Sequence, residues 1–314
     1  MDALLTGSGG TRLRWDQLPE RIRDEVERRL GGRVVAAHVQ DGGFSPAFAG
    51  RLRLAGGGRV FVKAGSAADE AYIGTAFRHE ARIVAGLPEH APVPRLRWWF
   101  DDGDWVVLAF DEAAGAPPAM PWRRTDRDRV LAALTGLVAD LTPAPDVPVS
   151  QLGDQDGLDG FRTLAADPHP GLADAYPWVA AELDALAGWE ARWPSVAGGD
   201  TLLHGDLRAD NLLLTDDRVL FVDWPSAVRG VAWFDLVSFL PSLLMQGGGD
   251  GAQILATHPL TAEVDPDALT AGLVAVSGYF VSQSLLPAPA RLPRIREFQR
   301  AQALPAVDLL RARL

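Results

Sequence analysis

Apolar positions along the chain change period from segment to segment, and the changes mark out two unlike halves. Leu18, Ile22, Val26 and Leu30 recur at helical spacing behind Asp16 and Pro19. That stripe predicts an amphipathic helix over 16–30, capped by Asp16, opened by Pro19 and ended by Gly31-Gly32. Short runs rich in β-branched and aromatic residues follow at 34–39, 47–54 and 59–63. They are joined by Asp41-Gly42-Gly43-Phe44-Ser45-Pro46 and by Gly56-Gly57-Gly58, and they predict strands. A helix over 70–86 and two strands over 95–100 and 105–110 complete a small antiparallel sheet with one helix, an α+β unit. Residues 111–121, rich in Ala, Gly and Pro, read as a connector. Beyond it the period is helical over 126–141, 171–193, 233–245, 266–286 and 291–314, with 143–170 irregular. The expected division is a sheet lobe with a leading helix, 1–112, and a mainly helical lobe, 113–314.

One stretch of the second half breaks its helical pattern. His204-Gly205-Asp206-Leu207-Arg208-Ala209-Asp210-Asn211 is followed by Val222-Asp223-Trp224. Between them, Leu212-Leu213-Leu214 and Val219-Leu220-Phe221-Val222 flank Asp216-Asp217, which predicts two short strands and a tight turn. That hairpin folds Asp223 back beside the loop carrying Asp206 and Asn211. Phosphoryl transfer asks little covalent help of a protein. It needs a carboxylate to accept the incoming hydroxyl's proton, and oxygen ligands that hold Mg²⁺ against the phosphates. Asp206 suits the first role; Asn211 and Asp223 suit the second. A hydrolase metal site built from His204, Asp206 and Asp223 is the competing reading, and the scatter of the six histidines argues against it. His204 reads instead as an imidazole that fixes the loop. Arg208 and Asp210 flank it as solvated side chains or as contacts to phosphate or substrate. Asp235 reads as a cap or anchor for the helix that follows.

Composition narrows the partners. With 314 residues, 47% apolar and 23% charged, the chain has the size of two lobes and an ordinary globular balance. The absence of cysteine excludes disulfides, thiol nucleophiles and thiolate-held zinc. No uninterrupted apolar run approaches a bilayer span; 236–245 is the nearest, and Ser238, Pro241 and Ser242 interrupt it. No basic-then-apolar leader begins the chain, so a cytoplasmic location with no membrane partner is expected. The net charge of −11 is uneven: about −1 over residues 1–117 and about −10 over the remainder. An acidic second half argues against nucleic acid as a partner. Residues 131–207, with 12 acids against two arginines, Arg162 and Arg192, suit a cationic small molecule or simply a solvated surface.

The basic residues carry a sharper signal. Of the 30, all but Lys63 are arginine. Lysine is a compact point charge and arginine a planar fork, so the solitary lysine marks a position where the ammonium itself is wanted. Lys63 ends the strand Val60-Phe61-Val62. A nucleotide kinase places such a lysine on the phosphates and holds it with a carboxylate from the next helix. Glu80, in Arg78-His79-Glu80-Ala81-Arg82, is placed for that, with Glu70 as competitor. Gly42, Gly43, Phe44 and Ser45 form a weaker element: glycines let backbone amides approach phosphates, but Pro46 removes one amide.

Together these elements resemble the aminoglycoside phosphotransferase family, relatives of choline kinases and protein kinases, over nearly the whole chain. The resemblance implies a two-lobed kinase fold, ATP or GTP with Mg²⁺ as donor, and transfer of the γ-phosphate to a hydroxyl of a small molecule. Carried over residue by residue, it implies Asp206 as catalytic base, Asn211 and Asp223 on Mg²⁺, and Lys63 with Glu80 on the phosphates. Backbone groups near Phe110 to Glu112 would hold the purine. Departures are informative: Gly205 replaces the arginine of protein kinases, Trp224-Pro225 replaces their Phe-Gly, and no Ala-Pro-Glu follows. A protein substrate is therefore not expected. An antibiotic of aminoglycoside or nucleoside type, inactivated by phosphorylation, is one expected acceptor. Choline, a sugar or an amino alcohol is another. A nucleotide-binding regulator without turnover would show a lost catalytic residue, and none is lost. Asp154, Asp156 and Asp159 are candidate contacts for a cationic acceptor. Tyr176, Trp178, Trp189 and Trp193 read as helix-packing core or as a wall for a flat ring. A monomer or homodimer is expected.

Overall fold

The computed structural model describes residues 12–40, 46–290 and 292–314. Five antiparallel strands, β1 (Val34–Val39), β2 (Phe48–Leu54), β3 (Arg59–Ser66), β4 (Leu96–Asp101) and β5 (Trp105–Phe110), form a sheet in the order β1-β2-β3-β5-β4. The pleat sends alternate residues to opposite faces. Val60, Val62 and Ala64 of β3, with Trp105, Val107 and Ala109 of β5, meet Leu18, Ile22 and Val26 on one face. The other residues of β5, Val106, Leu108 and Phe110, meet Ile73, Phe77 and Ala81 of the helix between β3 and β4. Lys63 belongs to this second set by register, paired with Ala49 and Leu108.

The leading helix is shorter than its apolar stripe predicts. A 3₁₀ turn at Trp15–Gln17 precedes α1 (Glu20–Leu30), and Leu18 between them is extended. Pro19 is the reason, since the residue before a proline is pushed out of the helical region. Asp16 consequently pairs with Arg14 at 2.8 Å and caps nothing. After β3, α2 (Ala71–Gly86) crosses the sheet closely, because Gly65 lacks the side chain that would collide with Ile73.

The connector runs irregularly from Asp111 and makes one antiparallel bridge, Ala116 to Leu214, with the motif hairpin. Helix α3 (Arg124–Asp140) follows. The irregular stretch 143–170 holds a 3₁₀ turn at Leu152–Asp154 and a helix, α4 (Gly160–Ala166), which its Pro and Gly density concealed. The single helix expected over 171–193 is instead α5 (Leu172–Ala175), α6 (Pro177–Ala181), α7 (Leu183–Glu190) and α8 (Trp193–Val196). Pro177 and Pro194 each stand at the start of a new helix, where a missing N–H is harmless. Two small antiparallel pairs follow: β6 (Thr201–Leu203) with β9 (Val228–Gly230), and β7 (Leu212–Leu214) with β8 (Val219–Phe221). Then come α9 (Phe234–Met245), α10 (Gly251–Thr257), α11 (Pro266–Leu285) and α12 (Ile295–Arg313). Helix α11 is long and apolar enough to cross a bilayer by length and composition, which the uninterrupted-run criterion overlooked. With 61% of its apolar window buried among the other helices, it is the core helix of this half.

Candidate active site

Strand β3 and helix α2 bring Lys63 and Glu80 together. Lys63 Nζ donates to Glu80 Oε1 at 2.6 Å and Oε2 at 2.8 Å, and to Asp223 Oδ1 at 2.6 Å. Glu70 stands at the N-cap of α2, ten residues earlier on the helix. Lys63 and Glu80 are buried, and the backbone amide of Trp224 donates to Glu80 Oε1 at 3.4 Å. Burial works against the charged ammonium, but attraction by Asp223 and Glu80 outweighs it and raises the Lys63 pKa. Burial likewise pushes Asp223 up, yet Lys63, by charge and hydrogen bond, and the charge of Arg208 hold it down at about 2. One ammonium thus serves two carboxylates, and Glu80, the more deeply buried of them, is raised by burial.

The loop after β6 is fixed by Asp235, at the start of α9. Its carboxylate accepts from the backbone amides of His204 at 2.7 Å and Gly205 at 3.0 Å. Asp235 therefore anchors the motif loop and makes no cap to its own helix. His204 is buried, with Nε2 donating to the Val222 carbonyl at 2.9 Å and Nδ1 accepting from the Asp206 amide at 3.3 Å. These partners define the neutral Nε2–H tautomer, and burial lowers its pKa. Both ring nitrogens are occupied, so the imidazole offers no ligand to a hydrolase metal. Gly205 has φ +77°, and a Cβ there would collide with the Ser226 carbonyl oxygen. Asp223 has φ +70° without being glycine, a conformation the surrounding structure has to impose.

Asp206 and Asn211 are joined within the loop. Asn211 Nδ2 donates to the Asp206 carbonyl at 2.7 Å and lies 3.4 Å from Asp206 Oδ2. Arg208 is clamped, not solvated. Its Nη1 lies 2.9 Å from both carboxylate oxygens of Asp206, while Nε and Nη2 each reach Asp210 at 3.0 Å. Withdrawal from water raises Asp206 against the pull of Arg208, with Asp210 and Asp223 adding to the rise, and its pKa reaches about 6.

A cleft of about 310 Å³ opens between sheet and loop, with Phe61 and Lys63 on one side and Asn211 and Asp223 on the other. Phe110, whose ring lies 6.0 Å from Lys63 Nζ, and Glu112 also line it, and Glu112 Oε1 lies 3.6 Å from Arg51 Nε. Gly42, Gly43, Phe44 and Ser45 lie outside the described residues. Asp154 and Asp156 are exposed and Asp159 stands 4.0 Å from Arg162; among the described residues none of the three hydrogen-bonds or ion-pairs with the motif loop. Trp193 is buried against Trp233 and Phe234, and Tyr176 is buried with its hydroxyl on Ser284 Oγ at 2.7 Å. Trp178 and Trp189 are half-buried against the same core. Sequence reasoning passed over Tyr279 of α11. Burial raises its pKa, with the charge of Asp206 adding to the rise and a hydrogen bond with Gln299 opposing it.

A five-stranded sheet over a mainly helical half, with a lysine–glutamate pair facing a two-aspartate loop, defines the kinase fold. Its family is equally clear. The model of the phosphotransferase enzyme family matches residues 43–269, and the chain belongs to that family, the small-molecule kinases. No curated protein matches the chain. Among solved structures, a thermostable mutant of aminoglycoside phosphotransferase APH(4)-Ia, in ternary complex with ADP and hygromycin B, is similar. It is 13% identical with a TM-score of 0.60, over 93% of this chain and 98% of that one. Choline kinase LicA from Streptococcus pneumoniae is also 13% identical, TM-score 0.61, over the same shares, 93% and 98%. A choline/ethanolamine kinase family protein from Mesorhizobium loti is 17% identical, TM-score 0.58, over 94% of each chain. At these identities the likeness is one of fold.

Proposed function

We propose that the protein transfers the γ-phosphate of ATP or GTP to a hydroxyl of a small molecule, with residues 1–112 holding the nucleotide and 113–314 supplying catalysis and the acceptor site. The observation that carries this reading is the Lys63 ammonium held between Glu80 and Asp223 at the wall of the cleft. In that position it faces a phosphate chain as a point charge. Phe110 to Glu112 line the end where a purine would lie. Asp206 accepts the proton of the acceptor hydroxyl, and Arg208 fixes both of its oxygens so that the carboxylate keeps one orientation.

The residues present fit Mg²⁺. Asn211 uses its amide nitrogen on Asp206, leaving Oδ1 as a hard oxygen donor beside the carboxylate of Asp223. Among the described residues no group of three or more His, Asp and Glu forms a protein cage for a metal. Two oxygen donors with phosphates and water completing the shell is the arrangement Mg²⁺ prefers. Bound there, the ion would neutralise charge developing on the transferring phosphoryl group.

The acceptor is a small hydroxylated molecule, and an antibiotic inactivated by phosphorylation is the reading we favour. The similarity to a structure holding hygromycin B supports it, and the similarity to choline kinases supports a metabolite alcohol as the second reading. A screen for Mg²⁺-dependent phosphate transfer from ATP and GTP to aminoglycosides, nucleoside antibiotics, choline and simple sugars tests it. Transfer to an antibiotic at micromolar to millimolar KM is the expected result. Transfer to choline or a sugar alone would move the role to metabolism.

A further inference from the structure

We propose that His79 is a positioning residue for phosphoryl transfer: as an imidazolium it ties α2 to the segment behind Asp223 and so holds Glu80 in register with Lys63. The proposal rests on the phosphotransferase reading above and adds a residue that acts through Glu80. His79 and Glu80 are neighbours on α2, and one helical step turns their side chains about 100° apart. Glu80 meets Lys63 of the sheet, while His79 meets two carbonyls of the helical half. Its Nδ1 lies 2.8 Å from the Pro225 carbonyl oxygen and its Nε2 2.9 Å from that of Pro148. A carbonyl oxygen accepts and never donates, so both ring nitrogens have to carry hydrogen. Neutral imidazole has one N–H; only the imidazolium has two. His204 shows the other case within the same chain, with one carbonyl and one amide as partners and a neutral ring.

The two carbonyls are placed so that this pair of bonds sets the position of α2. Asp223, Trp224 and Pro225 follow one another, and each engages a different group of β3 or α2. Asp223 Oδ1 accepts from Lys63 at 2.6 Å, the Trp224 amide donates to Glu80 Oε1 at 3.4 Å, and the Pro225 carbonyl accepts from His79. Pro148 belongs to a segment that packs against the C-terminal end of α2, where a Cβ on Gly86 would stand 2.5 Å from Val147 Cγ1. Val147 and Val149, on either side of Pro148, are packed on the main core. His79 therefore joins α2 to two separate segments of the helical half, one position from the carboxylate that holds Lys63. The charged side chains on these elements are engaged elsewhere or exposed. Arg78 pairs with Asp101 at 2.6 Å, Glu80 and Asp223 share Lys63, and Arg82 and Asp146 are exposed. Among the described residues no carboxylate ion-pairs with the His79 ring, so the two carbonyls themselves hold its second proton.

Kinetics of wild type, His79→Ala and His79→Gln with the acceptor that the screen identifies tests the assignment, with melting to confirm that each variant is folded. His79→Ala is expected to lower kcat about tenfold while the KM of the acceptor stays within about twofold. Glutamine places an amide N–H₂ there, with two donors at any pH, and should restore much of the loss. In a Glu80→Ala background the same His79→Ala change should cost no further turnover, since its effect passes through Glu80. Nitrogen-15 NMR of the wild-type ring at pH 7, where a free histidine is mostly neutral, should show both nitrogens protonated, the signal being assigned by its loss in His79→Gln. Wild-type kcat in His79→Ala overturns the proposal, and so does an equal further loss in the Glu80→Ala background. Should His79→Ala fail to fold, a neutral ring in the wild type still overturns it. Failure of the wild type to phosphorylate any acceptor would instead overturn the phosphotransferase reading itself.

Discussion

Lys63 Nζ lies 2.6 Å from Asp223 Oδ1, although 160 positions separate the two residues in the chain. The contact joins the sheet to the motif loop, and with Glu80 it surrounds the ammonium by carboxylate oxygens. Replacing Lys63 with arginine keeps the charge but asks a planar, longer head group to fit a buried site built for a compact one. Lys63→Arg should lower kcat/KM by about a hundredfold or more, roughly 3 kcal/mol of transition-state stabilisation. Steady-state kinetics with the responsive acceptor reads this. Wild-type kinetics in Lys63→Arg would remove the significance of the single lysine.

Asp206 gives the reaction its pH dependence. Its pKa is raised to about 6, and the ionised form is the base. As pH falls through that value the carboxylate takes a proton and no longer accepts one from the acceptor. The turnover number should therefore be flat above pH 7 and fall about tenfold per pH unit well below 6. A profile of kcat between pH 5 and 8 checks both the midpoint and the direction. A rate that rises on acidification would contradict the assignment.

Gly205 is a structural necessity of the loop. Its φ of +77° and the Ser226 carbonyl beside it leave no room for a side chain. Gly205→Ala combines backbone strain with a collision against main chain, and should destabilise the protein by about 2–4 kcal/mol. Thermal unfolding checks it, with a fall in Tm of several degrees expected.

Glu190 makes stability depend on pH away from the cleft. It is fully buried in α7 and accepts from the amides of Phe161 at 3.1 Å and Arg162 at 2.8 Å. Burial overcomes those bonds and raises its pKa to about 7. The folded state thus favours the protonated form. Its contribution is fully present below the ordinary carboxylate pKa and is lost as pH rises through 7, on the order of 3 kcal/mol. Glu190→Gln, which mimics the protonated group, should flatten that part of the stability profile between pH 5 and 8.

The fold and site were legible in the sequence to unequal degrees, for physical reasons. The sheet and α2 announced themselves through alternation and helical period, and so did the hairpin that returns Asp223 to the loop. Its register, Leu213 opposite Leu220, follows directly from the turn at Asp216-Asp217. The break at Pro177 was visible as a residue, but the helical period of 171–193 spoke louder than its one proline. β6 and β9, three residues each, are too short to carry any period, and α4 was hidden among glycines and prolines. Loop chemistry was the more local signal. Asp206, Arg208 and Asn211 lie on a few consecutive residues. Arg208's clamp on Asp206 and Asp210, however, depends on a loop shape set by Asp235, thirty residues further on. Arg12 carries no motif at all, and only tertiary packing brings it to the cleft.

The most direct test of the central claim is transfer of labelled γ-phosphate to the acceptor by wild type and Asp206→Ala, with nucleotide affinity measured on the same preparations. The account predicts a fall in turnover of about a thousandfold or more with nucleotide affinity changed by less than about threefold. Turnover in Asp206→Ala comparable to wild type would contradict it.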